Sequence, residues 1–196
     1  MSILKDLDVP IFKAGGMPAI DLKNYVLLVG GLVKEKRSFS WKDILAMPKS
    51  RVNSRLTSVS GWSVRADWEG IRWDDFVRQI SFNPEANYVR FSTVGGSYTT
   101  VVSIKDFENP RVLLAYGVNG DWIESEYGGP LRMIIPNLWG YKSCKWLGEI
   151  DFIDQMEGGY WEDRGYTRSG IIEPGFTFDI NTKTRRPIKG GEITEF

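Results

Sequence analysis

Apolar and β-branched residues are concentrated in short runs, which are separated by glycine, proline or asparagine. Such runs are typical of strands, and the turn residues between them indicate where each strand ends. The segments that fit are residues 25–33 (YVLLVGGLV), the two arms of 87–104 around Gly95-Gly96, the run from Val112 to Asn119-Gly120, 130–136 and 145–154. The Asn-Gly pair predicts a tight hairpin turn, because both residues tolerate positive φ.

Two segments have the pattern of short helices. Residues 40–48 (SWKDILAMP) begin with Ser40, a good N-cap, and end at Pro48, which cannot continue a helix. Residues 72–80 (RWDDFVRQI) form the second, and SIKDFENP adds a helical turn. Many short strands with few short helices predict an α+β fold whose core is mostly β.

The chain shows no internal repeat and no low-complexity linker, which predicts a single domain over residues 1–196. Within it, we expect residues 1–24 to form an N-terminal arm. Residues 171–196 are polar and rich in turn residues, so we expect a C-terminal surface tail.

Composition excludes several kinds of chemistry. The chain has 25 Lys plus Arg and 25 Asp plus Glu, so its balance does not indicate a nucleic-acid partner. It has no histidine, which removes His-based triads and imidazole metal ligands. Its single cysteine, Cys144, rules out an intramolecular disulfide and a CxxC metal site. Eight tryptophans suit either core packing or a rigid pocket for a flat ligand.

No run of 18 apolar residues is present, so we expect no membrane span. The first residues place Lys5, Asp6 and Asp8 where an export signal would carry its apolar stretch. These features predict a cytoplasmic protein, and an exported form whose signal has been removed is the alternative.

Basic residues are interleaved with glycine in GGPLRMIIPNLWGYKSCKWLGEI. Arg132, Lys142 and Lys145 can converge on one anion if residues 130–136 form a strand and Trp139-Gly140 a turn. Glycine permits close approach of the backbone, and the cations suit a phosphate. The alternative is a solvated hairpin with surface lysines.

Two further stretches are candidate sites. RLTSVSGWSVRADWEGIRW, which contains Ser58 and Trp62, is either a polar turn with Trp62 folded onto the core or part of a site. A Ser nucleophile there lacks a base, since the chain has no His and no Ser-x-x-Lys pattern starts at Ser58, Ser60 or Ser63. GGYWEDRGYTRSG either directs a tyrosine into a cleft or forms an ordinary amphipathic loop.

These stretches occur together, in order, in one family. The chain resembles the molybdopterin-binding domain of the sulfite oxidase family, in particular its single-domain members related to the catalytic subunit of the periplasmic methionine-sulfoxide reductase. The motifs that carry the resemblance are YVLLVGGLV, RLTSVSGWS…WEGI, LLAYGVNGDWI, GGPLRMIIPNLWGYKSCKWLGEI and GYWEDRGY.

The resemblance implies a mostly β α+β domain, with mixed sheets and a barrel-like core, that holds a molybdenum–molybdopterin cofactor. It also implies a small-molecule substrate and a role for each residue that matches a family motif. Cofactor contacts fall on Thr93, Tyr127, Arg132, Ser143, Cys144 and Lys145, and the active-site tyrosine falls on Tyr166.

Two positions depart from the family pattern. Ser58 stands where the family has the cysteine whose thiolate ligates molybdenum, and a hydroxyl is a harder ligand that loses its proton less readily. Ser63 stands where the sulfite-oxidising branch has an arginine for its anionic substrate, and Lys13 is the candidate replacement. Ser58 has three explanations, namely an engineered Cys→Ser change, a natural alkoxide ligand or a degraded site.

The resemblance implies oxygen-atom transfer to or from a small sulfur or nitrogen oxide. The electrons would pass to an external partner, since the chain has no haem or flavin motif. Two alternatives remain open, namely a non-catalytic molybdopterin-binding or carrier protein and a scaffold without cofactor.

Overall fold

The computed structural model describes residues 3–196 and is built mainly from short strands. These are β1 Val26–Gly31, β2 Arg37–Ser40, β3 Ser50–Ser58, β4 Trp62–Arg72, β5 Tyr88–Thr93, β6 Thr99–Ser103, β7 Leu113–Val118, β8 Asp121–Trp122, β9 Arg132–Ile134, β10 Leu147–Ile153, β11 Gly175–Asp179 and β12 Thr184–Ile188.

The helical elements are few and short. The α-helices are α1 Ile3–Asp6, α2 Trp41–Ala46 and α3 Trp73–Val77, and the 3-10 helices are Ile104–Glu108, Ser125–Tyr127, Gly140–Lys142 and Glu162–Arg164. Ser40 caps α2 as expected. Its side chain accepts the Asp43 N–H, while the Asp43 carboxylate accepts the Ser40 N–H at 2.9 Å. Among the described helices, none is long and apolar enough to cross a membrane.

The strands form two mixed sheets. The first has the order β2-β1-β10-β5-β6, in which β1 and β10 are parallel and the other neighbours antiparallel. The second follows the path β12-β11-β4-β7-β8, with β3 paired to β4 and β9 paired to β7. In this sheet β11 runs parallel to β4. The predicted α+β class, mostly β with mixed sheets and short helices, is confirmed.

Strand β7 is buried on both faces and separates two apolar cores. Leu114 packs in the larger core, between the two sheets, while Leu113 packs in the smaller core on the opposite face. Side chains alternate across a strand, so a run that is apolar throughout requires cover on both sides. The N-terminal residues Leu4 and Val9 belong to the smaller core.

The sequence pattern did not predict every strand. The stretch RLTSVSGWSVRADWEGIRW, a polar turn in one of its two interpretations, forms the end of β3, all of β4 and the first residue of α3. Strands β3 and β4 pair in continuous antiparallel register from Ser50↔Gly70 to Ser58↔Trp62. The turn itself is confined to Val59-Ser60-Gly61, where Gly61 has φ +88°. Residues 171–196, expected to form a surface tail, contribute β11 and β12 to the second sheet.

Candidate functional site

A cavity of about 190 Å³ opens beside the β3–β4 turn and is lined by residues from distant parts of the chain. Its walls come from the N-terminal segment, the β3–β4 turn, the end of β5 and the connection between β9 and β10, together with two aromatic residues that follow β10. Of the predicted site residues, those that line it are Ser58, Thr93, Tyr127, Arg132, Ser143, Lys145 and Tyr166. Cys144 is the predicted site residue that does not line it.

Two cations line this cavity without an acidic partner. Arg132 is only 4% exposed, and its guanidinium donates to the main-chain oxygens of Tyr127 (2.6 Å), Met133 (3.4 Å) and Ser143 (3.4 Å). Lys145 donates to the oxygens of Phe12 and Glu126. Within residues 3–196, neither cation has a carboxylate within ion-pair distance.

Burial of these cations carries an electrostatic cost. Burial lowers the pKa of Arg132 to about 10. Burial, together with the positive charges of Arg132 and Lys13, lowers the pKa of Lys145 to about 7. An anion between Arg132 and Lys145 would stabilise both charged forms, so the arrangement is that of an anion-binding site.

The neighbouring polar groups have defined positions. The Ser143 hydroxyl accepts the Ile135 N–H at 3.0 Å and Thr93 donates to the Lys145 carbonyl at 3.2 Å. The Cys144 thiol lies 3.9 Å from the Thr93 hydroxyl. Burial raises the pKa of this thiol to about 12. A thiol that keeps its proton is a poor metal ligand, so Cys144 is not a substitute for the thiolate ligand that the resemblance implies.

Lys142 does not join the predicted cation cluster. Its side chain is fully buried, and its ammonium lies 2.6 Å from Glu162 Oε1 and 2.7 Å from the Val101 oxygen. Because Glu162 neutralises this charge, the ion pair instead links the 3-10 helix Gly140–Lys142 to the 3-10 helix Glu162–Arg164. The expectation that both lysines converge on one anion is therefore wrong for Lys142.

Ser58, which the resemblance places at the metal-ligand position, lies at the tip of the β3–β4 hairpin. Ser58 Oγ lies 2.7 Å from Ser60 Oγ and accepts the Ser60 N–H at 3.2 Å. Ser63 is fully buried and its hydroxyl pairs with that of Thr57 at 3.0 Å, so it does not line the cavity. No group of three or more His, Cys, Asp or Glu side chains within residues 3–196 is placed to hold a metal ion. Ser58 is therefore the candidate ligand that the chain offers at this position.

Tyr166 lines the cavity within an aromatic group. Its ring stacks on Trp161 with centroids 4.9 Å apart and meets Tyr141 edge-on at 5.1 Å. The Tyr141 hydroxyl donates to the Thr167 oxygen at 2.6 Å, which ties the loop to the 3-10 helix Gly140–Lys142. Packing of this kind fixes the direction of the Tyr166 ring at the cavity wall.

Several lining residues carried no specific signal in the sequence. Leu4, Val9, Pro10, Phe12 and Ala14 reach the cavity from the N-terminal arm, in which Lys13 alone was a candidate site residue, and Lys13 is not among the lining residues. Trp62, Tyr98, Trp146 and Trp161 also line it. The richness in tryptophan indicated a pocket in general terms only, since aromatic residues more often pack in cores.

Comparison with known proteins identifies the family. A family model described as an oxidoreductase molybdopterin binding domain matches residues 14–161. The chain belongs to this family. One relative of the chain, "Uncharacterized oxidoreductase YuiH" of Bacillus subtilis, is 35% identical to it over 82% of each chain.

Two other molybdopterin-family relatives have names that state an activity. The sulfite oxidase of Arabidopsis thaliana is 30% identical, over 88% of this chain and 53% of its own length. The protein-methionine-sulfoxide reductase catalytic subunit MsrP of Ralstonia nicotianae is 26% identical, over 81% of this chain and 51% of its own. The chain thus spans about half the length of these two relatives. The resemblance to the sulfite oxidase family is confirmed.

The fold of the family is also seen in a solved structure. The sulfane dehydrogenase SoxCD of Paracoccus pantotrophus aligns with a TM-score of 0.69 over 90% of this chain and 47% of that chain. At 16% identity, this likeness shows a shared fold and nothing about substrate.

Proposed function

We propose that the protein is a molybdopterin-dependent oxidoreductase that transfers an oxygen atom to or from a small sulfur or nitrogen oxide. The observation that carries the proposal is the pair of cations, Arg132 and Lys145, which line the cavity and have no carboxylate partner within residues 3–196. Family membership supplies the identity of the ligand that would neutralise them.

The residues present fit the pterin and phosphate of such a cofactor. Arg132 and Lys145 donate only to neutral main-chain oxygens, so an anion would gain two charge-assisted hydrogen bonds. The indole N–H of Trp62 is buried without an acceptor, and Trp62 lines the same cavity. We assign the anionic groups to Arg132 and Lys145, and pterin contacts to Thr93, Tyr127 and Ser143. Cys144 does not line the cavity, so its side chain is left out of this assignment.

The metal end of the cavity fits less well. Ser58 provides a hydroxyl in place of a thiolate, and it is already hydrogen-bonded to Ser60. When bound, the molybdenum centre supplies the two-electron chemistry of oxygen-atom transfer. The chain itself holds the ligand, excludes water with its aromatic walls and positions Tyr166, whose hydroxyl can donate to an oxide oxygen.

The lining also limits the substrate. Apart from tyrosine hydroxyls, the ionisable groups among the lining residues are Arg132 and Lys145, which the cofactor would neutralise. Ser63, at the position of the arginine in the sulfite-oxidising branch, is buried away from the cavity. Sulfite is therefore a poor candidate substrate, and electrons would pass to a separate partner protein or small carrier.

A second candidate function rests on Ser58. A domain that keeps its anion anchor but lacks the thiolate can bind the pterin without catalysing oxygen transfer. The arrangement of Ser58 and Ser60, with no other metal-binding cluster among the described residues, favours this possibility.

Metal and pterin content distinguish the two functions. The protein is produced in a host that makes the cofactor, with molybdate supplied. The molybdenum and pterin contents are then measured on one sample. About one molybdenum and one pterin per chain would support the oxidoreductase, whereas pterin without molybdenum would support the binding protein. Absence of both would contradict each function.

The anchor is tested by substitution in the same preparation. We expect Arg132→Ala and Lys145→Ala each to weaken pterin binding about 10- to 100-fold, because a charged hydrogen bond contributes roughly 1.5–3 kcal/mol. Lys36→Ala, at an exposed lysine that does not line the cavity, is the matched control. Wild-type pterin occupancy in both anchor variants would overturn the assignment.

A further inference from the structure

The N-terminal segment crosses the cavity as a strap. We define the N-terminal strap as residues 9–14, of which Val9, Pro10, Phe12 and Ala14 line the cavity. Val9 is 6% exposed in the smaller core, whereas Phe12 is 47% exposed. The part of the wall around Phe12 is open to solvent, so few contacts hold it. Those contacts decide whether this wall of the cavity can open.

Besides the packing of Val9 and Ala14 in the two cores, three contacts join the N-terminal strap to other residues of the cavity wall. The Lys145 ammonium donates to the Phe12 main-chain oxygen, and the Tyr127 hydroxyl donates to the Val9 oxygen at 3.2 Å. The Phe12 ring stacks on Trp62 with an interplanar angle of 6° and centroids 6.4 Å apart. All three partners, Lys145, Tyr127 and Trp62, line the cavity themselves.

The two ends of the strap are fixed differently. At one end, the Val9 N–H donates to the Leu4 oxygen at 2.9 Å, and Leu4 is 1% exposed. At the other end, Gly15 and Gly16 have φ of +76° and +88°. A Cβ on Gly15 would lie 2.5 Å from the Ser97 oxygen, so glycine is required there. A segment between a buried anchor and a glycine pair can move without unfolding the core.

We propose that the N-terminal strap is a lid over the cofactor cavity and that an anionic ligand on Lys145 locks it shut. This inference rests on the proposed function for the identity of the natural ligand, a phosphate-bearing cofactor. Lys145 is the shared element, because its ammonium has three N–H groups. Two donate to the Phe12 and Glu126 oxygens, which leaves the third for an anion in the cavity.

Electrostatics supports the coupling between ligand and lid. With a pKa of about 7, Lys145 is only partly charged near neutral pH, and a neutral amine is a weaker donor to the Phe12 oxygen. A bound anion favours the ammonium form and so strengthens that hydrogen bond. The ammonium also lies 4.4 Å from the centroid of the Trp146 ring, which further favours its charged form.

Trypsin provides a direct assay, because Lys13 lies within the strap and is exposed. Protein made in a host that lacks the cofactor is digested with and without inorganic pyrophosphate, whose binding is measured by calorimetry. We expect pyrophosphate to slow cleavage after Lys13 about fivefold or more, since proteolysis follows the open population. Cleavage after Lys23, an exposed lysine outside the strap, serves as the internal reference.

Two variants separate the lid from general stability. Phe12→Ala removes the stack on Trp62 and should raise cleavage after Lys13 about three- to tenfold with or without pyrophosphate. Ile11→Ala is the matched control, because Ile11 is 42% exposed and does not line the cavity. Lys145→Met should abolish the effect of pyrophosphate.

Several results would overturn the lid. These are equal cleavage rates after Lys13 with and without bound pyrophosphate, the same rates in the Phe12 and Ile11 variants, or no calorimetric binding of pyrophosphate. None of these measurements uses pterin or molybdenum. Failure of the protein to retain the cofactor would therefore contradict the proposed function, and it would not affect the result on the N-terminal strap.

Discussion

The buried ion pair between Lys142 and Glu162 provides the sharpest test of how the cavity walls are held together. Both side chains are fully buried, with the ammonium 2.6 Å from Glu162 Oε1. Burial lowers the pKa of Lys142, and Glu162 opposes that shift. Replacing only Lys142 by methionine would leave the Glu162 carboxylate buried with Thr100 as its remaining hydrogen-bond partner, at 2.6 Å.

The expected cost follows from this isolation. Removal of one partner of a buried pair destabilises a protein by about 3–5 kcal/mol, because an uncompensated charge stays in the interior. We therefore expect Lys142→Met and Glu162→Leu each to lower the free energy of unfolding by roughly that amount. The double variant should recover most of the loss, because two apolar side chains of similar volume replace the pair.

Urea unfolding of the four proteins measures the coupling as a double-mutant cycle. Arg78→Met is the matched control, because Arg78 pairs with Asp75 at 3.0 Å while the two side chains are 74% and 26% exposed, and we expect a change below about 1 kcal/mol. The reasoning would be refuted by single variants within 1 kcal/mol of the wild type. A double variant no more stable than the singles would equally refute it.

Two further predictions concern the ends of the cavity. Ser58→Cys should raise the molybdenum content per pterin, because a thiolate is the softer ligand. Plasma mass spectrometry measures this content, and no increase would mean that the metal end is altered beyond its ligand. Without cofactor, the free energy of unfolding should rise between pH 7 and 8.5. In the folded protein Lys145 has a pKa of about 7 and loses its proton in this range, whereas in the unfolded chain Lys145 keeps its proton. The limiting slope is about 1.4 kcal/mol per pH unit, and urea titrations should find this rise absent in Lys145→Met.

The elements that the sequence predicted correctly are those fixed by local chemistry. Helix α2 is set by the Ser40 cap and by Pro48, and the β7–β8 turn is set by Asn119 and Gly120, with φ of +51° and +93°. In both cases a side chain or a glycine determines the backbone within a few residues. Such local signals can be interpreted without knowledge of the rest of the fold.

The elements that the sequence missed depend on distant partners. Strand β3 carries Arg55, which is buried because Asp179 pairs with it at 3.0 Å from 124 residues away. Lys142 looked like a ligand-binding cation for the same reason, since Glu162 gave no sign of being its partner. Arg132 and Lys145 line the cavity and, within residues 3–196, have no carboxylate partner, and no local pattern distinguishes them from Lys142.

The two ends of the cavity can therefore vary independently. The anion end depends on Arg132 and Lys145, whose charges lack an acidic partner in the described chain and so favour an anionic ligand whatever occupies the metal end. Under the proposed function the metal end depends on Ser58, and the thiol of Cys144, with a pKa of about 12, cannot substitute for it. A substitution at Ser58 should then change metal content without changing pterin content. A substitution at Arg132 should lower both, because under the proposed function the metal is held by the pterin.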